Sequence, residues 1–588
     1  MSPTLWIKKH GQELWVLLAL MLGVVALFGF GHSRYGLFDV DEAIFTRASI
    51  EMIETGTWSM PSYNGEPRYH KPPLIYWMQA AAMEVLGEQS LLAARLPSTV
   101  FSIATILLLV WGVFKITGKI RQALWSGSIL ASSLGFLVIG RAATADAVLL
   151  FFVTATTLAT IRLLYGKPWP WGKLCVGVLA ALGFLAKGPI AWLVPGLIGF
   201  FVIFGRADTR KNWKKVWHRA DPTELLLVVI ACLTPWIVWL VSQRGWGFFY
   251  EFIVVHNLQR FGGGLSNTQS DSPFYYLVVM VVGMFPLIFM LPAVVMWLRK
   301  DWRKRLASQK AGDALPVLGL IGALGVIVFF SFSATKLAHY IVPAYMGFAL
   351  AFGAYLERFP RMKLPTWPRI PMVLWGLLMA GVVGGLGWTL VQLQEMRPRG
   401  WVGYMLTWMN VSWPPEDSLL REVLMQPVEV PWMGFILTGV LMGVAAVMIG
   451  HALGVARGWR PWLMSGLCVW LLALIMVVQS VVPTVWAYTQ APLATLASRM
   501  VGAPEGMPII HLGLHKPSVL YLSGKPFLKL ERALQVPAAI PEGRRALVLT
   551  ESADVPALKQ EFLVRSGTVT PQICTGGYCL VLVDRVKE

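Results

Sequence analysis

Residues 14–30 read LWVLLALMLGVVALFGF, seventeen positions without one charged side chain. A helix crossing the hydrocarbon core of a bilayer needs roughly 20 mostly apolar residues, so this run has the length and composition of a span. Lys8, Lys9 and His10 stand before it as in a signal peptide, yet no small-residue cleavage site follows, which points to an uncleaved signal-anchor. Similar runs begin near Pro97, Ala123, Ala147, Leu174, Pro189, Leu225, Tyr275, Leu315, Tyr340, Pro371, Trp432 and Trp462, about thirteen spans in all at that length. Composition agrees: 56% of the 588 residues are hydrophobic and 14% charged, where a soluble chain carries about a quarter charged residues. The expectation is a polytopic α-helical membrane protein.

The formal charge of +19 would suit a nucleic-acid partner if it formed one face. It does not. Lysines and arginines gather in short connections: Lys119 and Arg121; Arg206 to Arg219; Arg299 to Arg305; Arg358, Arg361 and Lys363; Arg457 and Arg460. Cytoplasmic loops hold such excesses, and one alternating topology puts all of these on the same side. The charge is therefore read as a topology marker, with no nucleic-acid partner. An odd number of spans and a cytoplasmic N-terminus place the C-terminus outside, in a bacterial inner membrane. The outer loops are then 31–96, 141–146, 187–188, 242–272, 331–339 and 395–431, with everything after about Val482.

From about Ala491 the apolar runs shrink to strand length, at Ile509–Leu512, Val519–Leu522, Ala546–Thr550 and Leu580–Asp584, with a helix over Asp554–Val564. This is a small α/β domain on the outer face. Cys574 and Cys579 flank Thr-Gly-Gly-Tyr there and could close a small disulfide outside the cytoplasm. No internal repeat of the kind that builds transporters is visible.

The first outer loop carries the chemistry. Asp41-Glu42 open a segment in which Ile44, Phe45, Ala48, Met52 and Ile53 recur at helical spacing, with Arg47, Glu51 and Glu54 opposite and Gly56 at the end. This reads as an amphipathic interfacial helix. Asp41 at its start is either an N-cap or a carboxylate kept ionised as a base at the mouth of a membrane cavity. His70-Lys71-Pro72-Pro73 follows, the prolines stiffening the chain behind Lys71. Lysine at that depth either snorkels or meets a lipid phosphate.

These segments, taken in order, resemble a known superfamily. Asp41-Glu42, Lys71-Pro72-Pro73-Leu74, Arg95-Leu96-Pro97-Ser98, Ala145-Asp146, Leu185-Ala186-Lys187-Gly188-Pro189, His256-Asn257-Leu258-Gln259-Arg260-Phe261 and Lys336-Leu337-Ala338-His339-Tyr340 are similar to motifs of the polyprenyl-phosphate-sugar-dependent integral membrane glycosyltransferases. Protein O-mannosyltransferases and the bacterial transferase that puts aminoarabinose on lipid A belong to that superfamily. The resemblance implies a GT-C type fold of about 13 transmembrane helices with a small C-terminal α/β periplasmic domain, as span lengths allow. Residues 1–490 would form the transmembrane glycosyltransferase domain, with interfacial helices in 33–96 and a large outer loop at 242–272; residues 491–588 would form the periplasmic domain.

The resemblance implies that Asp41 is the catalytic carboxylate. It also implies that Lys71 and Arg260 bind the donor phosphate, with Tyr340 lining the same cavity, while Glu42, Asp146 and Lys187 support the site. Lys336 is a further cation for the departing phosphate. The aminoarabinose branch reads Glu-Lys-Pro-Pro and Glu-His where this chain has His70-Lys71 and His256-Asn257, so the branch's Glu/His metal pair is not preserved. His70 and His256 would hold a divalent metal or hydrogen-bond a phosphate; no cofactor is otherwise expected, since no Gly-rich phosphate loop follows a strand. The expected activity is inverting transfer of a sugar from an undecaprenyl phosphate carrier to a lipid A-like glycolipid, another envelope glycan or a protein. Protein O-glycosylation of the mannosyltransferase type is the alternative enzyme, and a flippase of lipid-linked sugars the alternative outside enzymes. A flippase would put ionisable groups deep inside spans, whereas the candidates here fall at span ends.

Overall fold

A computed structural model describes residues 21–358 and 482–586, apart from 167–168, 206–219, 263–273, 286 and 564–566, with isolated positions at 15, 19, 474 and 478. The spans expected from Pro371, Trp432 and Trp462 and the loop 395–431 lie outside the described residues.

After the helical turns of 21–29 come α1 (Asp41–Thr55), a hairpin of β1 (Ser62–Tyr63) and β2 (Glu66–Pro67), α2 (Leu74–Leu86), α3 (Leu91–Thr117), α4 (Ile120–Ala131), α5 (Leu134–Arg141), α6 (Asp146–Tyr165), α7 (Gly172–Lys187), α8 (Leu193–Gly205) and α9 (Pro222–Arg244). Helices α10 (Tyr275–Gly283), α11 (Leu291–Arg299), α12 (Trp302–Ala307), α13 (Ala311–Ser331) and α14 (Val342–Arg358) follow. Among the described residues α3, α6, α9 and α13 are long and apolar enough to cross a membrane, and α4 with α5 makes a fifth such unit, bent by 67°. Leu226, Leu227, Ile230, Val278 and Val282 point outward and exposed. Lipid is the solvent in which such a surface is stable.

In the core, α3, α4, α6, α13 and α14 pack around Leu109, Ile129, Val153, Leu318 and Phe348. A Cβ on Gly347 would stand 2.3 Å from the Gly319 carbonyl oxygen, so glycine there is what lets α14 approach α13. Pro97 was expected to begin a span; α3 instead starts at Leu91, because Ser90 caps it by accepting from Ala93 N at 3.2 Å. Pro97 sits inside the second turn.

Helix α1 does not lie on the surface with a free polar face. Arg47 and Glu51 are buried, and Arg47 reaches Glu51 at 3.1 Å and Glu54 at 2.8 Å. Glu51 in turn accepts from Ser62 Oγ, Asn64 N and Gly65 N at 3.0, 2.8 and 3.2 Å. Asn64 and Gly65 have φ of 57° and 79°, the left-handed pair that closes a two-residue hairpin. The polar stripe of α1 is thus a socket for the hairpin that precedes Lys71.

The C-terminal part holds α15 (Val482–Thr489), α16 (Ala491–Val501), β3 (Ile509–Leu512), α17 (Pro517–Ser523), β4 (Leu528–Leu530), β5 (Arg545–Glu551), α18 (Val555–Leu563), β6 (Thr568–Thr575) and β7 (Tyr578–Asp584). The sheet order is β4-β3-β5-β7-β6, parallel across β4-β3-β5 and antiparallel across β5-β7-β6. Val519–Leu522, read as a strand, is helical: Pro517 at the first helical position sets φ for α17, and Gly524 ends it in the left-handed region. Cys574 and Cys579 are disulfide-bonded across the β6–β7 turn. Five hydrogen bonds help seat this C-terminal part on the membrane part. Asp39 accepts from Ser518 N at 2.7 Å and from Ser518 Oγ at 2.8 Å, Asn64 exchanges hydrogen bonds with the Phe527 backbone, and Trp486 Nε1 donates to Leu37 O at 3.1 Å.

Candidate active site

Two adjacent acids divide the work at the start of α1. Glu42 accepts from Arg95 Nε and Nη2, both at 2.9 Å, from Phe38 N at 2.9 Å and from Ala143 N at 2.7 Å. Burial by itself would raise the Glu42 carboxyl; the bidentate Arg95 guanidinium and the two amides hold it below the usual range. Arg95 is fully buried and also donates to the carbonyls of His32, Tyr35 and Gly36. Glu42 is therefore a structural clamp that shapes the chain leading into α1. Asp41 is the first helical residue, and Val40 occupies the cap position without a side-chain bond. The expected N-cap role thus fails: the clamp already fixes the turn, and Asp41 is exposed and makes no hydrogen bond to a described residue.

Lys71 follows the hairpin and precedes the two prolines. It is half-buried. Desolvation, then the charges of Lys187 and Arg260, push its amine down to about 7. Arg68 donates to Tyr76 Oη at 2.9 Å and lies 5.5 Å from the Phe45 ring, which stacks on Tyr76 at 5.3 Å. Aromatic packing thus fixes a further cation whose charge acts on Lys71.

His256 lies on a π-helical segment, Tyr250–Gln259, that leads directly into Arg260. Such wide turns recur where helices carry functional groups. Its ring stands 3.8 Å from that of His70, tilted by 31°. Burial and the surrounding Arg68, Lys71 and Arg260 charges push His70 down to about 2 and His256 to about 4. No cluster of three His, Cys, Asp or Glu that could hold a metal occurs among the described residues. Two imidazoles are fewer ligands than zinc usually takes from protein.

Asp146 begins α6 and Lys187 ends α7; their side chains form a buried ion pair. Lys187 Nζ lies 5.8 Å from the Tyr340 ring, and Gly188 (φ 83°) turns the chain away immediately afterwards. Tyr340 belongs to the short 3-10 turn Ala338–Ile341, and its ring packs on Phe330 and His339. His339 stands among the charges of Asp146, Lys187, Asp41 and Lys71. Phe261 O accepts from Ala334 N at 2.8 Å, which ties Arg260 to the segment bearing Tyr340. The Arg260 charge acts on Lys71, His70, His256 and Tyr340. Lys336 is half-buried on that same segment, four residues before Tyr340. The side chains of these segments thus act on one another's charge, and exposed Asp41 acts on His339 and Tyr340 among them.

Three residues here had escaped the sequence reading. Arg68 was legible in hindsight, two residues before His70. His339 lay inside a recognised motif without a role. His515 sits on the sheet's β3–α17 loop and feels Asp41 and Arg68; only the docking of the C-terminal sheet brings it near, and nothing local signals it.

Comparison with known proteins bears on this geometry. The family model for dolichyl-phosphate-mannose-protein mannosyltransferase matches residues 70–239, a stretch holding His70, Lys71, Arg95, Asp146 and Lys187. An uncharacterised protein of Aquifex aeolicus is 30% identical over 56% of this chain and 71% of its own length. The undecaprenyl phosphate-alpha-4-amino-4-deoxy-L-arabinose arabinosyl transferase 2 of Sodalis glossinidius is 31% identical over 54% of this chain and 56% of its own length. The chain thus spans about half the length of that curated transferase (56%). The crystal structure of ArnT from Cupriavidus metallidurans bound to undecaprenyl phosphate superposes with a TM-score of 0.72 at 17% identity, covering 97% of this chain and 98% of that one. The likeness is one of fold.

Proposed function

We propose that this chain, which belongs to the superfamily of polyprenyl-phosphate-sugar-dependent integral membrane glycosyltransferases, moves a sugar from undecaprenyl phosphate to an acceptor on the periplasmic face of the inner membrane. The observation that carries the reading is a division of charge at one site. Asp41 is exposed and makes no hydrogen bond to a described residue, while Lys71 stands among the charges of Arg260, Arg68 and Lys187, the last of them paired with Asp146. Such a surplus suits a phosphate.

In this mechanism Lys71 and Arg260 hold the donor phosphate, with Lys336 and the Tyr340 hydroxyl beside them. Asp146 orients Lys187 in support. Asp41 accepts the proton of the acceptor hydroxyl as its oxygen attacks the anomeric carbon from the face opposite the phosphate. The bond from that carbon to the phosphate oxygen breaks, its electron pair stays on the phosphate, and the cations stabilise the charge that develops. The sugar is inverted and the polyprenyl phosphate leaves. With an acceptor that is already an anionic phosphate no base is needed, and Asp41 positions it instead. A lipid A-like glycolipid is the first acceptor class, another envelope glycan or a protein the second. The N-terminus would be cytoplasmic, and the sheet of residues 491–588 would cover the site from the periplasm.

The test is transfer in proteoliposomes that hold a labelled undecaprenyl-phosphate-sugar donor and envelope acceptors. Label should move with wild type and stop with Asp41→Asn. Equal crossing of the lipid-linked sugar in both proteins, with no transfer, would replace the transferase by a flippase.

A further inference from the structure

At the end of the bundle opposite Asp41 a cavity of about 800 Å³ opens. Helix α3 leaves the active site at Arg95 and ends at this cavity with Thr117, and α6 runs from Asp146 to Tyr165 in the same direction. At 1.5 Å per residue the two sites are about 30 Å apart, one hydrocarbon thickness. The cavity belongs to neither the donor site nor the C-terminal sheet.

Its lining is cationic. Lys115, Lys119, Arg162 and Lys310 contribute, against a single acid, Asp313. That acid is engaged: its Oδ2 accepts from Ser308 Oγ at 2.9 Å. The three lysines form no ion pair with a described residue, and all are exposed. Arg162 is stacked on Trp169 at 4.3 Å, which fixes its plane and leaves the guanidinium edge for an oxyanion.

What distinguishes a lipid from a free anion is the surface leading to this cavity. Val100, Leu107 and Trp111 are exposed on α3 at 49%, 36% and 52%. With Lys115 they stand seven, four and four residues apart, so one face of the helix carries an apolar stripe that ends in a tryptophan and then a lysine. Tryptophan favours the headgroup level, with acyl chains below and phosphate above. We propose that this cavity binds the phosphate headgroup of an anionic phospholipid whose chains lie along Val100 and Leu107. The lipid would tie the α3–α4 connection to the end of α6 and the start of α13, three elements whose far ends shape the active site. The inference does not depend on the transferase reading.

The experiment is native mass spectrometry of the purified full chain with phosphatidylglycerol or phosphatidylcholine, paired with thermal denaturation. Phosphatidylglycerol should be retained at one copy and phosphatidylcholine lost. Lysines near an anionic surface contribute roughly a factor of five each, so Lys115→Gln/Lys119→Gln/Lys310→Gln should weaken retention on the order of 100-fold. Asp313→Asn, which keeps the acceptor for Ser308, should strengthen it severalfold. Equal retention of the two lipids, or a triple variant that binds like wild type, overturns the proposal. Millimolar inorganic phosphate that stabilises the lipid-free protein as much as phosphatidylglycerol does would make this a free-anion site and overturn the lipid reading.

Discussion

Lys71 offers the sharpest test of the donor site, because its amine is poised near neutrality. Exposed lysines titrate near 10.4; burial and the Lys187 and Arg260 charges push Lys71 down to about 7. A bound phosphate diester reverses the balance, since its charge favours the protonated amine. Below pH 7 the amine is charged in both states and binding is insensitive to pH. Above it, binding must take up a proton, and affinity falls as pH rises. If the bound amine stays charged through pH 9, the loss is roughly tenfold at pH 8 and about 100-fold at pH 9, one decade per unit. His70 and His256 are pushed to about 2 and about 4, so both are neutral throughout and add no slope. The assay is donor affinity by tryptophan fluorescence in detergent between pH 6 and 9, with the donor itself as probe because a diester does not titrate there. Lys71→Arg keeps the charge at all these values and should flatten the profile. A flat wild-type profile, or the same slope in Lys71→Arg, would refute the reasoning.

The two neighbouring acids should separate cleanly. Asp41→Asn should abolish transfer with Tm unchanged, whereas Glu42→Gln leaves Arg95 charged and fully buried and should cost about 3–5 kcal/mol, read as a lower Tm. Lys187→Met should likewise destabilise by stranding Asp146, and adding Asp146→Asn should restore most of the loss; additive effects in that cycle would mean the pair is not coupled. Asp39→Ala removes both acceptors for Ser518 and should weaken the docking of α17 by about 1–2 kcal/mol. Hydrogen exchange would then rise over residues 517–523 while β5 and β7 keep their protection; unchanged exchange would count against the docking role.

The elements legible from sequence were those with strong local signals. Uncharged runs announce α3, α6, α9 and α13, because only a helix satisfies its own backbone within lipid. Gly-Gly between Cys574 and Cys579 announced the β6–β7 turn. Strands β4 and β6 were missed because they are short or solvent-facing edges without an apolar run, and α17 was misread because Val519–Leu522 is apolar on every side in a strand or a buried helix alike. The order of short motifs also marked Asp41, Lys71, Asp146, Lys187, Arg260 and Tyr340 as candidates, residues that the fold gathers at one end of the bundle.

What each residue does there was decided by tertiary contacts. Asp41 and Glu42 are equivalent in a sequence; Arg95, fifty-three positions away, engages one and leaves the other exposed. The polar face of α1 reads as a solvated stripe until the hairpin folds onto Glu51. His70 and His256 are far apart in sequence, and only the fold brings their rings to 3.8 Å. Hydrophobic periodicity is written along the chain because burial is a property of each side chain, whereas partnership, orientation and local charge belong to pairs far apart in sequence, and only the folded chain brings those pairs together.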